Sequence, residues 1–145
     1  MTTMWTSVAG RAIISHRDKL LLVTDGAGYW YTPGGRLDAS ETLPECVVRE
    51  VREETGLKVA VGDVVTVSEY LDEKKGEHKV ECYFIAELVD PPERFETWQD
   101  TSGPVRSYGL FTEAELETMK VRPSFLVNFA SDPSRRPRQI YVEPS

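Results

Sequence analysis

The stretch Pro33-Gly-Gly-Arg-Leu-Asp-Ala-Ser-Glu-Thr-Leu-Pro-Glu-Cys-Val-Val-Arg-Glu-Val-Arg-Glu-Glu-Thr-Gly-Leu57 decides how the rest of the chain is read. Its second half spells a helix. Thr42 or Ser40 can cap the N-terminus, Pro44 falls near the first turn where a missing N–H costs nothing, and Gly56 supplies the stop. On a wheel of about 100° per residue, Glu50, Glu53 and Glu54 share an arc of about 100°, with Arg49 beside them. Val47, Val48 and Val51 are assigned to the opposite side, facing a sheet. Carboxylates at i, i+3 and i+4 repel one another by about a few tenths of a kcal/mol per pair, so the arrangement calls for a cation. Oxygen-only donors select hard ions, and Mg2+ characteristically shares itself between a few carboxylates and substrate phosphates. The Pro33-Gly34-Gly35 turn permits close backbone approach, which makes a glycine carbonyl available as a further ligand.

Strand patterns flank this segment. Val8 to Ser15 and Lys19 to Thr24 are short aliphatic runs joined at His16-Arg17-Asp18, the pattern of a hairpin of buried strands. Val59 to Leu71 is Val-rich and strand-like. From Val80 onward, Val80, Cys82, Phe84, Ala86 and Leu88 alternate with Glu81, Tyr83, Ile85 and Glu87, which predicts a strand with one core face. Thr112 to Met119 and Pro123 to Phe129 predict helices, the first opened by Thr112 with Glu115 three residues on. Two stretches predict loops: Asp90 to Pro104, broken by proline pairs, and Asp132-Pro-Ser-Arg-Arg-Pro-Arg138. A last short strand is expected at Gln139 to Val142. The order is β-β-β-α-β-β-loop-β-α-α, an α/β fold.

At 145 residues, with 40% apolar and 28% charged side chains, the chain suits a single domain able to bury its own core. No apolar run approaches the roughly 20 residues of a membrane helix, and the start lacks a secretory pattern, so a cytoplasmic protein is expected. Cys46 and Cys82 are not spaced as a metal pair and read as reduced, apolar-like residues. The net charge of −7 opposes nucleic-acid binding and repels phosphorylated molecules unless carboxylates hold divalent cations. That argument leads back to the Glu-rich helix.

The helix segment resembles the Nudix box, G-x5-E-x7-R-E-U-x-E-E-x-G-U with U aliphatic. Gly35, Glu41, Arg49, Glu50, Val51, Glu53, Glu54, Gly56 and Leu57 fill every defined position. Seven fixed letters at roughly 1 in 15 each give a chance match of ~10⁻⁸ per window. The resemblance implies a Nudix-type α/β/α sandwich with a mixed central β-sheet over most of residues 8–130. A single domain at 1–131 would then precede a Pro/Arg-rich tail at 132–145.

It implies Mg2+-dependent (or Mn2+-dependent) hydrolysis of the pyrophosphate linkage in small nucleoside diphosphate derivatives of the nucleotide or nucleotide-sugar type. Glu50, Glu53 and Glu54 become the metal ligands with the Gly35 carbonyl, Glu50 the first candidate for the base, Arg49 its orienting partner, and Glu41 a structural partner of Arg49. Glu50, Arg49 and Glu53 are thus the catalytic candidates. In parts of the family a late loop contributes a further carboxylate, here Glu93, Glu96 or Asp100, among which the sequence does not choose.

Arg11 and Arg36 flank the expected cleft and are candidates to grip phosphates, a guanidinium matching phosphate oxygens in pairs. Tyr29, Trp30, Tyr31, Tyr70 and Trp98 can stack on a base or line the cleft, with Tyr31 the substrate-binding candidate. His16 and His78 receive no catalytic role. The expected partner is a small nucleotide-derived substrate, with a homodimer as a further option through Gln139-Ile-Tyr-Val142. Two other readings exist: a Nudix-fold nucleotide-binding regulatory module without turnover, and an RNA-end-processing enzyme, for which a −7 chain offers no obvious basic path.

Overall fold

Short-period patterning in the first 36 residues yields three strands, β1 (Trp5–His16), β2 (Lys19–Thr24) and β3 (Gly34–Arg36). The computed structural model describes residues 3–129 and 141–142. β1 and β2 are joined by Arg17 and Asp18, at φ 51° and 61°, the twist a two-residue hairpin turn requires. Helix α1 (Leu43–Thr55) follows, then β4 (Lys58–Asp72), β5 (Glu77–Val89), β6 (Ser107–Phe111), the short α2 (Glu113–Glu117), a 3-10 turn (Ser124–Phe129) and β7 (Tyr141–Val142).

The strands form a mixed sheet in the order β6-β2-β1-β5-β4-β7, with β3 laid antiparallel against β1. β1 runs parallel to β5 over Trp5 to Ile14 and turns to pair with β2 only at Ser15 and His16. β7 pairs in parallel with β4 within the same chain. The basic stretch 132–138 lies outside the described residues.

Both faces of the sheet are covered. On one, Val47 and Val51 of α1 pack on Ala12, Ile14, Leu21, Val23, Phe84 and Ala86; on the other, Leu116 of α2 and Leu126 of the 3-10 turn pack on Ile13, Leu20, Leu22 and Tyr83. This corrects the reading of β5 as a strand with a single core face. Tyr83 is as deeply buried as Phe84 because a second layer covers the side that alternation marked as outer. Pro123 to Phe129 is likewise a 3-10 turn instead of an α-helix: the Leu126 N–H bonds back three residues, to the Pro123 carbonyl.

α1 begins at Thr42, whose hydroxyl accepts from the Glu45 N–H while the Glu45 carboxylate accepts from the Thr42 N–H. This reciprocal cap is worth about 1 kcal/mol. The helix ends at Gly56, whose φ of 75° is a left-handed conformation that side chains resist. The expected face is corrected at two positions. Val48 is exposed, whereas Glu54 is buried. Seven residues separate Val47 from Glu54, close to two full turns, so Glu54 stands in the Val47 column and faces the sheet.

Candidate functional site

Glu54 is 4% exposed, enclosed between α1 and the sheet. Its Oε1 accepts a 3.2 Å hydrogen bond from the Gly34 N–H of β3. Its Oε2 is buried and has no hydrogen-bond partner among the described residues. Burial pushes its carboxyl up to about 9, against the pull of Arg11 and the Gly34 N–H, and the neighbouring Glu50 pushes it further.

Arg11 donates from Nη1 to the carbonyls of Thr32 (3.2 Å) and Gly34 (3.1 Å). Its Nε lies 3.8 Å from Glu81, and its guanidinium sits 5.8 Å from the Tyr31 ring centre. Tyr31 is pushed up to about 12 by burial and then by the negative charges of Asp25 and Glu54. Arg11, Tyr31 and Glu54 therefore share one neighbourhood.

Arg49 organises the solvent side of α1. Its Nη2 reaches Glu41 Oε1 at 2.7 Å and its Nε reaches Glu41 Oε2 at 3.0 Å, a two-point grip. Nη1 donates to Glu50 at 2.9 Å and lies 3.4 Å from Glu53 Oε2; Nη2 also meets Asp38 at 3.5 Å and the Arg36 carbonyl at 3.2 Å. The Arg49 hydrogen bonds, with the Asp38 N–H, hold the Glu41 carboxyl down to about 2. One guanidinium thus serves four carboxylates, Asp38, Glu41, Glu50 and Glu53, and offsets only part of their negative charge.

The donors near α1 are carboxylate and carbonyl oxygens, the set suited to a hard divalent cation. Among the described residues, no three His, Cys, Asp or Glu side chains already converge as a cage, since Glu53 is turned toward Arg49. The residues nevertheless fit such an ion. Glu54 contributes an unpartnered buried oxygen beside Glu50, and a Cβ added at Gly35 would stand 2.7 Å from Glu50 Oε1, so a side chain there would push the Glu50 carboxylate aside. The Gly35 carbonyl accepts a weak 3.4 Å bond from the Cys46 thiol.

Arg36 is exposed, next to Gly35 on β3. Asp100 is engaged with its own turn through Ser102 N–H and Oγ, while Glu93 and Glu96 are exposed. His16 packs edge-on to Phe95, and His78 lies 2.6 Å from Glu69.

Sequence reasoning missed two features. One is Glu81, brought beside Arg11 by the β1/β5 register; its charge in an apolar strand pattern was the available signal. The other is the docking of Trp98, expected to stack on a base or line the cleft: its indole N–H donates to the Glu53 carbonyl at 2.8 Å and its ring lies against Gly56. The Tyr108 hydroxyl pins the same loop by donating to the Glu96 carbonyl at 2.7 Å. Nothing local in the sequence of residues 90–104 signals that dock.

Among the described residues, no helix is long and apolar enough to cross a membrane. A NUDIX domain model matches residues 5–129. The chain is 33% identical over 87 residues to an ADP-ribose pyrophosphatase of Methanocaldococcus jannaschii, covering 57% of this chain and 52% of that protein. It is 39% identical over 59 residues to a CTP pyrophosphohydrolase of Escherichia coli, covering 37% and 44%. The chain spans about half the length, or less, of the curated relatives it matches. A NUDIX hydrolase structure from Nitrosomonas europaea superposes with a TM-score of 0.70 at 19% identity, covering 91% of this chain and 92% of the other. With the domain match covering nearly the whole described fold, the chain belongs to the Nudix family.

Proposed function

We propose that the chain hydrolyses the pyrophosphate linkage of small nucleoside diphosphate derivatives, nucleotide or nucleotide-sugar in type, with Mg2+ or Mn2+. The observation that carries this reading is the buried Glu54 carboxyl, with one oxygen unpartnered among the described residues, on a helix whose outer carboxylates share a single cation, Arg49. Family membership supports it, because Nudix hydrolases generally use divalent metal ions. The relatives named for ADP-ribose and CTP support the substrate class.

In this reading Glu50, Glu53, Glu54 and the Gly35 carbonyl would hold the cation, which would supply the positive charge that offsets the phosphates and makes water easier to deprotonate. Glu50 accepts the proton of the attacking water. Arg49 holds Glu50 through the 2.9 Å bond and so fixes the direction of its free lone pairs. Arg36 grips a phosphate from the β3 side, and Arg11 with Tyr31 forms the wall of the cleft. Water oxygen joins phosphorus, the bridging P–O bond breaks, and the departing phosphate carries away the electron pair.

The test is Glu50→Gln assayed on ADP-ribose, dinucleoside polyphosphates, nucleotide sugars and nucleoside triphosphates, with Mg2+ and then with EDTA. The variant is expected to keep its fold and lose about 10²-fold or more in turnover, and EDTA to abolish wild-type cleavage. Near wild-type rates in Glu50→Gln would remove Glu50 from its role. Binding without cleavage of any panel member would favour the regulatory module instead.

A further inference from the structure

The cavity at the open end of β1 and β5 shares only Arg36 with the steps above. It has a volume of about 680 Å³, the size of a small-molecule site, and its lining includes Trp5, Ser7, Arg36, Lys75, Glu77 and Lys79. Strand register explains why these residues meet. Trp5 is opposite Glu77 and Ser7 opposite Lys79 across β1/β5, while Arg36 is opposite Ala9 across β1/β3. Alternation puts Trp5, Ser7, Glu77, Lys79 and Arg36 on one face of the sheet, the face that continues to Arg11, while Lys75 reaches the cavity from the turn before β5. Arg36 is two residues from Gly34, whose N–H holds Glu54, so the cavity borders the candidate site.

Its chemistry departs from the rest of the chain. In a protein of net charge −7, three of the six lining residues named are cationic and one is anionic. His78, also in the lining, is engaged by Glu69 at 2.6 Å and by Thr6 at 3.3 Å, and Lys75 sits beside Asp72. Lys79 is 5.8 Å from the Tyr70 ring centre, an attraction that leaves its charge uncancelled. The Arg36 guanidinium has no hydrogen bond or ion pair among the described residues. Trp5 is 74% exposed at the rim, forgoing the burial an indole usually finds.

We propose that this cavity is a subsite for a nucleoside monophosphate unit, its planar ring against Trp5 and its phosphate between Arg36 and Lys79. The subsite's catalytic meaning rests on the proposed hydrolysis: it holds the half of a two-part substrate that lies beyond the scissile linkage. A flat ring and an anionic group are what an exposed indole and two cations recognise together, and neither alone calls for both.

The test measures binding without turnover, by calorimetric titration of the metal-free full chain with AMP, adenosine and inorganic phosphate. AMP is expected to bind at least about tenfold more tightly than either fragment. Trp5→Ala and Lys79→Glu are each expected to weaken AMP by about tenfold, with the melting temperature essentially unmoved because both side chains are at the surface. AMP affinity unchanged in both variants, or no AMP binding at millimolar concentration, would overturn the subsite. If AMP behaves as expected while no substrate is cleaved, the subsite stands and the proposed hydrolysis falls.

Discussion

Glu41, just before α1, and Glu54, in its last turn, carry the same carboxyl group and titrate at opposite extremes. Glu41 is held down to about 2 by the two-point grip of Arg49 and the Asp38 N–H, on the solvent side of the helix. Glu54 is pushed up to about 9 by burial against the sheet, with Arg11 only partly opposing it. The difference teaches that a paired arginine and burial push the same group in opposite directions. Glu41 has its counter-charge within the chain, whereas Glu54 has a carboxyl whose charged form is favoured by an added cation.

The sharpest way to break this contrast is to neutralise each glutamate in turn. Glu54→Gln is expected to cost about 10²-fold in Mg2+-supported turnover, whereas Glu41→Gln costs under about tenfold, both read by product release. Equal losses would erase the distinction. The same variant has a pH signature in metal-free protein. Because the folded carboxyl of Glu54 is raised, its contribution to stability is full below about 4.5 and is lost as pH rises toward about 9. Wild-type melting temperature should therefore fall over that window, and Glu54→Gln should flatten the fall. Adding Mg2+ at pH 8 should raise the wild-type value and leave the variant unmoved.

The solvent side of α1 is tested by Arg49→Met, which keeps the stem but strands Glu41, Glu50 and Glu53 as like charges. A loss of about 2 kcal/mol in denaturant unfolding is expected, less than for a buried pair because Arg49 is partly exposed. Trp98→Ala comes next, at about 1 kcal/mol, for the lost bond to the Glu53 carbonyl. Smallest of all, Val48→Ala should stay within about 0.5 kcal/mol, while Val51→Ala, on the buried side, costs about 2. A comparable loss at Val48 would mean that α1 is rotated about its axis from the orientation described.

How legible this was in the sequence differs between fold and site. The β-β-β-α-β-β-loop-β order could be read because each segment carries its own periodicity and its own punctuation, such as Thr42, Gly56 and the proline pair at 91–92. The second buried face of β5 could not, because alternation counts polar neighbours along one strand and Tyr83 is covered by residues more than 30 positions away. In the site, the box spacing brought out the Glu cluster and the Arg49–Glu41 pairing. The wheel alone misjudged Glu54, since a carboxylate in the Val47 column looks like an error until the Gly34 N–H is seen to reach it. Arg11 was read as a phosphate grip, whereas its guanidinium also spans two backbone carbonyls and faces Glu81, pairings fixed by register.

The docking of Trp98 on Gly56 carries a consequence for how this sequence can change over generations. Gly56 is bound twice, by its left-handed backbone and by an indole that leaves no room for a Cβ, which would come within 2.6 Å of the ring. A substitution at 56 meets the indole unless position 98 has shrunk first, and the left-handed backbone strains it even then; a smaller residue at 98 removes one of the two reasons for glycine at 56. Across descendants of this chain the two positions, 42 residues apart, are expected to drift as a pair, with the change at 98 arriving first.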